Sequence, residues 1–271
     1  FMKKIGLITV LMLLVIVFCG KKNEIDKLLP SGGKKATQSK EIIQQNLDSY
    51  NKNTKIYNRL LEIDKELLYY FEDTGTEETF KKPVQEMTLN IPLNQAFIDR
   101  IKEVAKSPKP TELDKKAGEM IPVLEEMLPV ITEMNNYYGG KLYQKDNYKK
   151  AQEFHTKLLE IIKKYDAAVL PFRTEMDKKI VEQREKEAKQ LQKEGRTIAY
   201  NRMMILSVGE EVLNEISRQK LTGANVVSGD AAKFKALQEK LINVVGEFNK
   251  YAKDEKQMEK EGYKDYNLTS F

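Results

Sequence analysis

IIQQNLDSYNKNTKIYNRLLEIDKELLYYFED, residues 42–73, decides the fold. Ile43, Leu47, Tyr50, Thr54, Tyr57, Leu61, Asp64, Leu68 and Phe71 recur at alternating four- and three-residue steps, the seam of a heptad helix. A second row, Ile56, Leu60, Ile63, Leu67 and Tyr70, widens the apolar face in its latter half. A face that broad packs against two neighbours, so this is a bundle helix, predicted over about residues 39–73.

The same period returns downstream. Met120, Leu124, Met127, Ile131, Met134 and Tyr138 form a seam within a helix expected over 112–138, preceded by a shorter helix over 94–106. Pro122 and Pro129 fall on the face opposite that seam, where carbonyls freed by the prolines meet water, so both rings should point to solvent. Tyr148, Ala151, His155, Leu158, Ile162, Tyr165, Val169, Phe172 and Met176 mark the longest helix, 145–194, with a kink expected at Pro171. Gly195 breaks it. A return helix follows over 196–220 through Met203, Leu206, Leu213 and Ile216. Asp230 then caps a last helix whose face is Phe234, Leu237, Leu241, Val244, Phe248 and Tyr251. The segment 74–92 holds Gly75, Pro83 and Pro92 and reads as a loop. No segment shows convincing period-two alternation. The expected class is all-α, an elongated bundle of long antiparallel helices in a single domain over 41–265.

Ahead of that body stands a different kind of sequence. Lys3-Lys4, an almost unbroken apolar run from Ile5 to Phe18, and then Cys19 read as a lipoprotein-type signal, 1–19, in which Cys19 becomes the lipidated first residue. The stretch resembles a bacterial lipobox, departing from it at Phe18, where a small residue usually stands. An uncleaved short anchor held by its flanking lysines, or simple secretion, are the alternatives. Residues 20–40, rich in Lys, Gly and Ser, read as a flexible tether.

Charge excludes one class of partner. The net charge is +5, yet beyond Lys40 the chain carries 38 basic and 39 acidic residues. The body is electrically balanced and has no footprint for nucleic acid. The basic excess sits in the tether, which reads either as a solvated lysine-rich linker or as a segment drawn to an anionic lipid surface, where each lysine would add about 1 kcal/mol of attraction. Cys19 is the only cysteine, so no disulfide and no cysteine metal centre forms within the body.

His155 is the only histidine. No His-Glu-x-x-His pair, no Gly-rich phosphate loop and no nucleophile-elbow serine accompanies it. His155 lies on the seam, where a packed, hydrogen-bonded histidine is the plain reading and a ligand or proton-switch role the sharper one. Tyr137, Tyr138, Tyr143 and Tyr148 cluster around Gly139-Gly140, upstream of His155. They either clamp a helix corner by packing or contact a ligand or partner. Met120, Met127 and Met134 read as core filler.

Tyr57-Asn58-Arg59-Leu60, Tyr137-Tyr138, Asp146-Asn147-Tyr148, His155, Tyr165-Asp166-Ala167-Ala168, Gly195-Arg196 and Tyr200 occur in an order that resembles the YiiG-like family of bacterial putative lipoproteins. The resemblance spans about 42–219, and 139–144 departs from it with a less acidic stretch. It implies an all-helical domain in the cell envelope and brings no catalytic residue. The expectation is a membrane-anchored, non-enzymatic envelope lipoprotein without a cofactor. It would face the periplasm from the outer membrane or sit at the cell surface, its helical body binding an envelope protein or glycan. The alternatives are a small-ligand or metal-binding protein using the Tyr/His155 corner, and an envelope hydrolase whose site is not visible in the sequence.

Overall fold

The computed structural model describes residues 34–219, 221 and 225–264, with side chains in the first helix described from residue 44. The expected signal segment with Cys19, and the tether as far as residue 33, lie outside the described residues. The described residues are all-α, with no strand among them. They fall into two compact units, Phe1–Lys179 and Ile180–Phe271.

In the first unit, α1 (Lys34–Thr74) carries the opening seam. It begins earlier than expected, so residues 34–40, read as tether, are helical. Ile56, Leu60, Ile63, Leu67 and Tyr70 are fully enclosed, and Leu61, Leu68 and Phe71 nearly so. Burying each such side chain is worth about 1.5–3 kcal/mol, so the two rows together hold α1 against its neighbours. Gly75, at φ +86°, ends the helix by donating its N–H to Phe71 O. α2 (Gln95–Ala105) starts at Asn94, whose side chain accepts from the Phe97 N–H. α3 (Glu112–Glu119) starts at a capping box in which Thr111 and Asp114 bond each other's backbone.

The helix expected over 112–138 is two helices, α3 and α4 (Ile121–Gly139), joined at Met120. A proline disfavours helical backbone in the residue before it and lacks an N–H, so Pro122 suits a first turn rather than an interior. Pro129 lies inside α4. Both rings are exposed, as the seam requires, while Leu124, Met127, Ile131 and Met134 are completely buried.

The expected 145–194 helix likewise divides, into the single turn α5 (Tyr143–Asp146) and α6 (Lys149–Glu194). Asn147 and Tyr148 between them have φ of 52° and 67°. Left-handed backbone is ordinary for asparagine and costly for tyrosine. Something must hold Tyr148 there.

Residues 75–93 form no helix, as the loop reading has it, but they are not shapeless. Met87, Leu89, Ile91 and Leu93 are buried while Thr88 and Asn90 are exposed, a period of two that the sequence reading did not recognise. The segment is an extended strap on helices rather than a strand in a sheet. At Ile91 a side chain takes the place of a neighbouring strand. The Ile91 N–H donates to Asn135 Oδ1 and Asn135 Nδ2 donates to Ile91 O, both at 2.9 Å.

The second unit holds the remainder of α6, then α7 (Thr197–Arg218), α8 (Ala231–Ala252) and α9 (Glu255–Glu261). Asp230 caps α8 as expected, accepting from Ala232 and Lys233 N–H. The small helix α9 was not foreseen, although Asp254 and Gly262 bracket it with ordinary start and stop signals. Its Glu261 carboxylate accepts from the Ile198 and Ala199 N–H groups at 2.7 and 2.9 Å, capping α7 from a distance in sequence. Ile198, Phe248 and Ala252 make the small core of this unit.

Candidate functional site

The five residues singled out in the body converge in the first unit. α4 supplies Tyr137 and Tyr138, α5 supplies Tyr143, and α6 with its preceding turn supplies Tyr148 and His155. Tyr70 and Phe71 from α1 and Phe80 from the strap complete the cluster. Tyr143 and Tyr148 stack with centroids 4.8 Å apart, and Tyr137 meets Tyr138 edge-on at 5.2 Å. These are ordinary favourable aromatic contacts, each worth about 0.5–1.5 kcal/mol beyond area burial. The stacking accounts in part for Tyr148's backbone. Its N–H also donates to Asp146 Oδ1 at 3.0 Å, and Asp146 Oδ1 accepts from the Tyr137 hydroxyl at 2.7 Å. Burial pushes the Asp146 carboxyl up. The hydrogen bonds from Tyr137 and from the Lys150 and Tyr148 N–H groups outweigh it and hold the pKa below the usual range.

His155 is 0% exposed. Its Nε2 lies 2.8 Å from Glu77 O and its Nδ1 3.3 Å from the Tyr70 hydroxyl. Nε2 can only donate to a carbonyl, and Nδ1 shares a hydrogen bond with the Tyr70 hydroxyl. Phe80 covers the ring edge-on at 5.6 Å. Both nitrogens are therefore spent on the chain itself, one of them in pinning the strap. The Tyr138 and Tyr143 hydroxyls are buried without an aligned hydrogen-bond partner; that of Tyr138 faces the Tyr70 hydroxyl. Burial pushes the Tyr70, Tyr137 and Tyr138 phenols well up, so they are neutral at ordinary pH.

Two polar assemblies were not singled out as sites from the sequence. Asp64, a seam position of α1, is 2% exposed and pairs with Arg173, whose side chain is 13% exposed. Tyr165 donates its hydroxyl to Asp64 Oδ1 at 2.8 Å, and Tyr57 donates to Asp177 Oδ1 at 2.8 Å. An acid at a heptad core position was the signal that could have revealed it.

The second assembly joins α1 to α3. Asp114 Oδ1 accepts from Ser49 Oγ at 2.8 Å and from Asn53 Nδ2 at 2.6 Å, and Asp114 Oδ2 accepts from the Thr111 N–H. Beside it opens a groove of about 390 Å³. One wall is Gln44, Gln45, Asp48, Ser49 and Lys52; the other is Val104, Ser107 and Asp114.

Among the described residues no group of three or more His, Cys, Asp or Glu side chains is placed to hold a metal. No helix among them is long and apolar enough to cross a membrane. No curated protein and no solved structure matches the chain. A family model does: it covers residues 44–271, from the start of the α1 seam onward. The chain belongs to the family described as Protein of unknown function (DUF3829).

Proposed function

We propose that this is a YiiG-like envelope lipoprotein, anchored through Cys19, whose helical body is a non-enzymatic interaction module. The Lys3-Lys4 start, the apolar run to Phe18 and the single cysteine support the anchor. The interaction reading rests on one observation, the incomplete burial of the second unit. Along α7, Met204, Leu206, Val212, Leu213 and Ile216 are only half-buried, and Ile205 is half-buried against the unit's own core, while Ile198, Met203 and Val208 alone among its large apolar side chains are enclosed. Val181, Val226, Val227 and Ile242 add more than half-exposed apolar surface in the same unit. Such partly uncovered apolar side chains support the reading that this unit meets a partner.

The Tyr/His155 corner weighs against the small-ligand or metal reading, because both His155 nitrogens are bonded within the chain and the rings are packed on one another. Metabolic labelling with an alkyne fatty acid tests the anchor. Wild type should take up label in the envelope fraction, and Cys19→Ser should not. Label persisting in the variant overturns the thioether anchor. Cross-linking the wild-type protein in its native envelope tests the interaction reading, with a discrete cross-linked partner expected. A wholly monomeric product overturns it.

A further inference from the structure

The strap of the first unit has a main chain that its own fold leaves unused. From Glu86 to Ile91 it runs without a bend or turn, with Met87, Leu89 and Ile91 buried and Thr88 and Asn90 exposed. In an extended chain the N–H and C=O of one residue point to one edge, and those of the next residue to the other. Met87, Leu89 and Ile91 therefore share an edge, and Asn135 occupies its Ile91 end with two bonds of 2.9 Å. Glu86, Thr88 and Asn90 share the opposite edge. None of their backbone N–H or C=O groups bonds to another group among the described residues.

The buried alternate side chains hold this backbone extended, so its ordering is already complete before a partner arrives. Its free donors and acceptors repeat every second residue, at a rise of about 3.3 Å per residue, and that is the repeat of another extended main chain. An unpaired edge of this kind is a template for an added strand. Its length is bounded, because Pro83 and Pro92 flank it and proline has no N–H to continue a ladder. We propose that the edge formed by Glu86, Thr88 and Asn90 binds an extended segment of another polypeptide as an added β-strand, through main-chain hydrogen bonds. The Glu86 carboxylate is already engaged by Lys141 and Gln144, so side-chain preference falls on Thr88, where a β-branched residue opposite packs best. This surface belongs to the first unit and does not depend on the apolar side chains of the second.

Fluorescence-anisotropy titration of the full chain tests this with three labelled peptides: Thr-Val-Thr-Val-Thr-Val-amide, the same peptide N-methylated on its threonines, and the same peptide N-methylated throughout. N-methylation removes backbone donors, from one edge of the second peptide and from both edges of the third. The first two should bind saturably and within about threefold of each other, because one intact edge suffices, and the third about tenfold or more weakly. Thr88→Pro removes a strap donor that bonds nothing within the chain, so its melting temperature should match wild type while the first peptide binds about tenfold or more weakly. Thr88→Val keeps that donor and should bind as wild type does. The peptide series on wild type needs no variant and decides the matter if the proline disturbs the strap. No saturable binding of the first peptide at millimolar concentration, equal binding of the third, or unchanged affinity in a folded Thr88→Pro variant overturns the proposal. Self-association of the wild-type chain that Thr88→Pro abolishes also overturns it, assigning the edge to a second copy.

Discussion

Arg173→Leu is the sharpest perturbation of the first unit. Arg173 and Asp64 form an ion pair between α6 and α1, with side chains 13% and 2% exposed, and the Tyr165 hydroxyl is the carboxylate's other neighbour. Leucine keeps the bulk and removes the cation. The carboxylate then stays in the core with a single phenolic donor. Stranding one member of a buried pair costs about 3–5 kcal/mol. With a urea slope of about 2 kcal/mol/M for a domain of this size, the midpoint of the first unit should fall by about 2 M at pH 8. The double variant Asp64→Leu/Arg173→Leu should recover most of that loss, because it leaves no charge behind.

pH adds a second check on the same variant. Burial raises the Asp64 pKa above its usual range even against the opposing field of Arg173. Without Arg173 it rises further. A folded pKa above the unfolded value means that the folded state binds more protons between the two, so stability increases as pH falls through that window. The gap between Arg173→Leu and wild type should therefore narrow from pH 8 toward about pH 5, a little above the unfolded carboxylate value. Urea melts read by circular dichroism decide it. A midpoint within about 0.5 M of wild type at pH 8, or a gap indifferent to pH, refutes the reasoning.

Asn135→Leu removes the amide that bonds both backbone groups of Ile91, costing about 1–3 kcal/mol, or two hydrogen bonds. Its effect should be local: limited proteolysis should cut within residues 82–90 sooner than in wild type, and an unchanged cleavage pattern counts against the strap's dependence on Asn135. His155→Phe keeps a ring in the aromatic cluster but loses the bond to Glu77 O. Amide hydrogen exchange over residues 75–83 should accelerate while the α4 core keeps its protection. Uniform acceleration would instead make His155 a general core residue.

The helices were legible because heptad spacing is a direct image of which side faces the core, and Pro122 and Pro129 could be placed on the solvent side for that reason. Breaks were less legible. Met120 joins two helices without a glycine at the joint, and Asn147-Tyr148 turns left-handed through contacts to Asp146 and Tyr143 that only the folded chain brings together. The strap went unseen because Pro83 and Pro92 look like loop punctuation, and alternation over Met87, Leu89, Ile91 and Leu93 is short. The clustering of Tyr137, Tyr138, Tyr143, Tyr148 and His155 was readable from their spacing, but not that their polar atoms would turn inward. The Asp114 groove was out of reach, since Ser49 and Asn53 lie more than sixty residues from Asp114. A polar residue on a helix announces nothing until its partner is known.

The closed tyrosine corner has a consequence on the alkaline side. Burial raises the phenol pKa of Tyr57, Tyr70, Tyr137, Tyr138, Tyr148 and Tyr165 above the ordinary value. A phenol whose folded pKa exceeds its unfolded one contributes stability below about pH 10 and loses it as pH climbs further, because the unfolded chain gives up the proton more easily. Tyr70, Tyr137, Tyr138 and Tyr148 sit at the corner and Tyr57 and Tyr165 beside Asp177 and Asp64, so each of the six contributes in the same direction within one unit. Alkali should therefore weaken this unit, with the buried rings of its corner among the groups that make it do so.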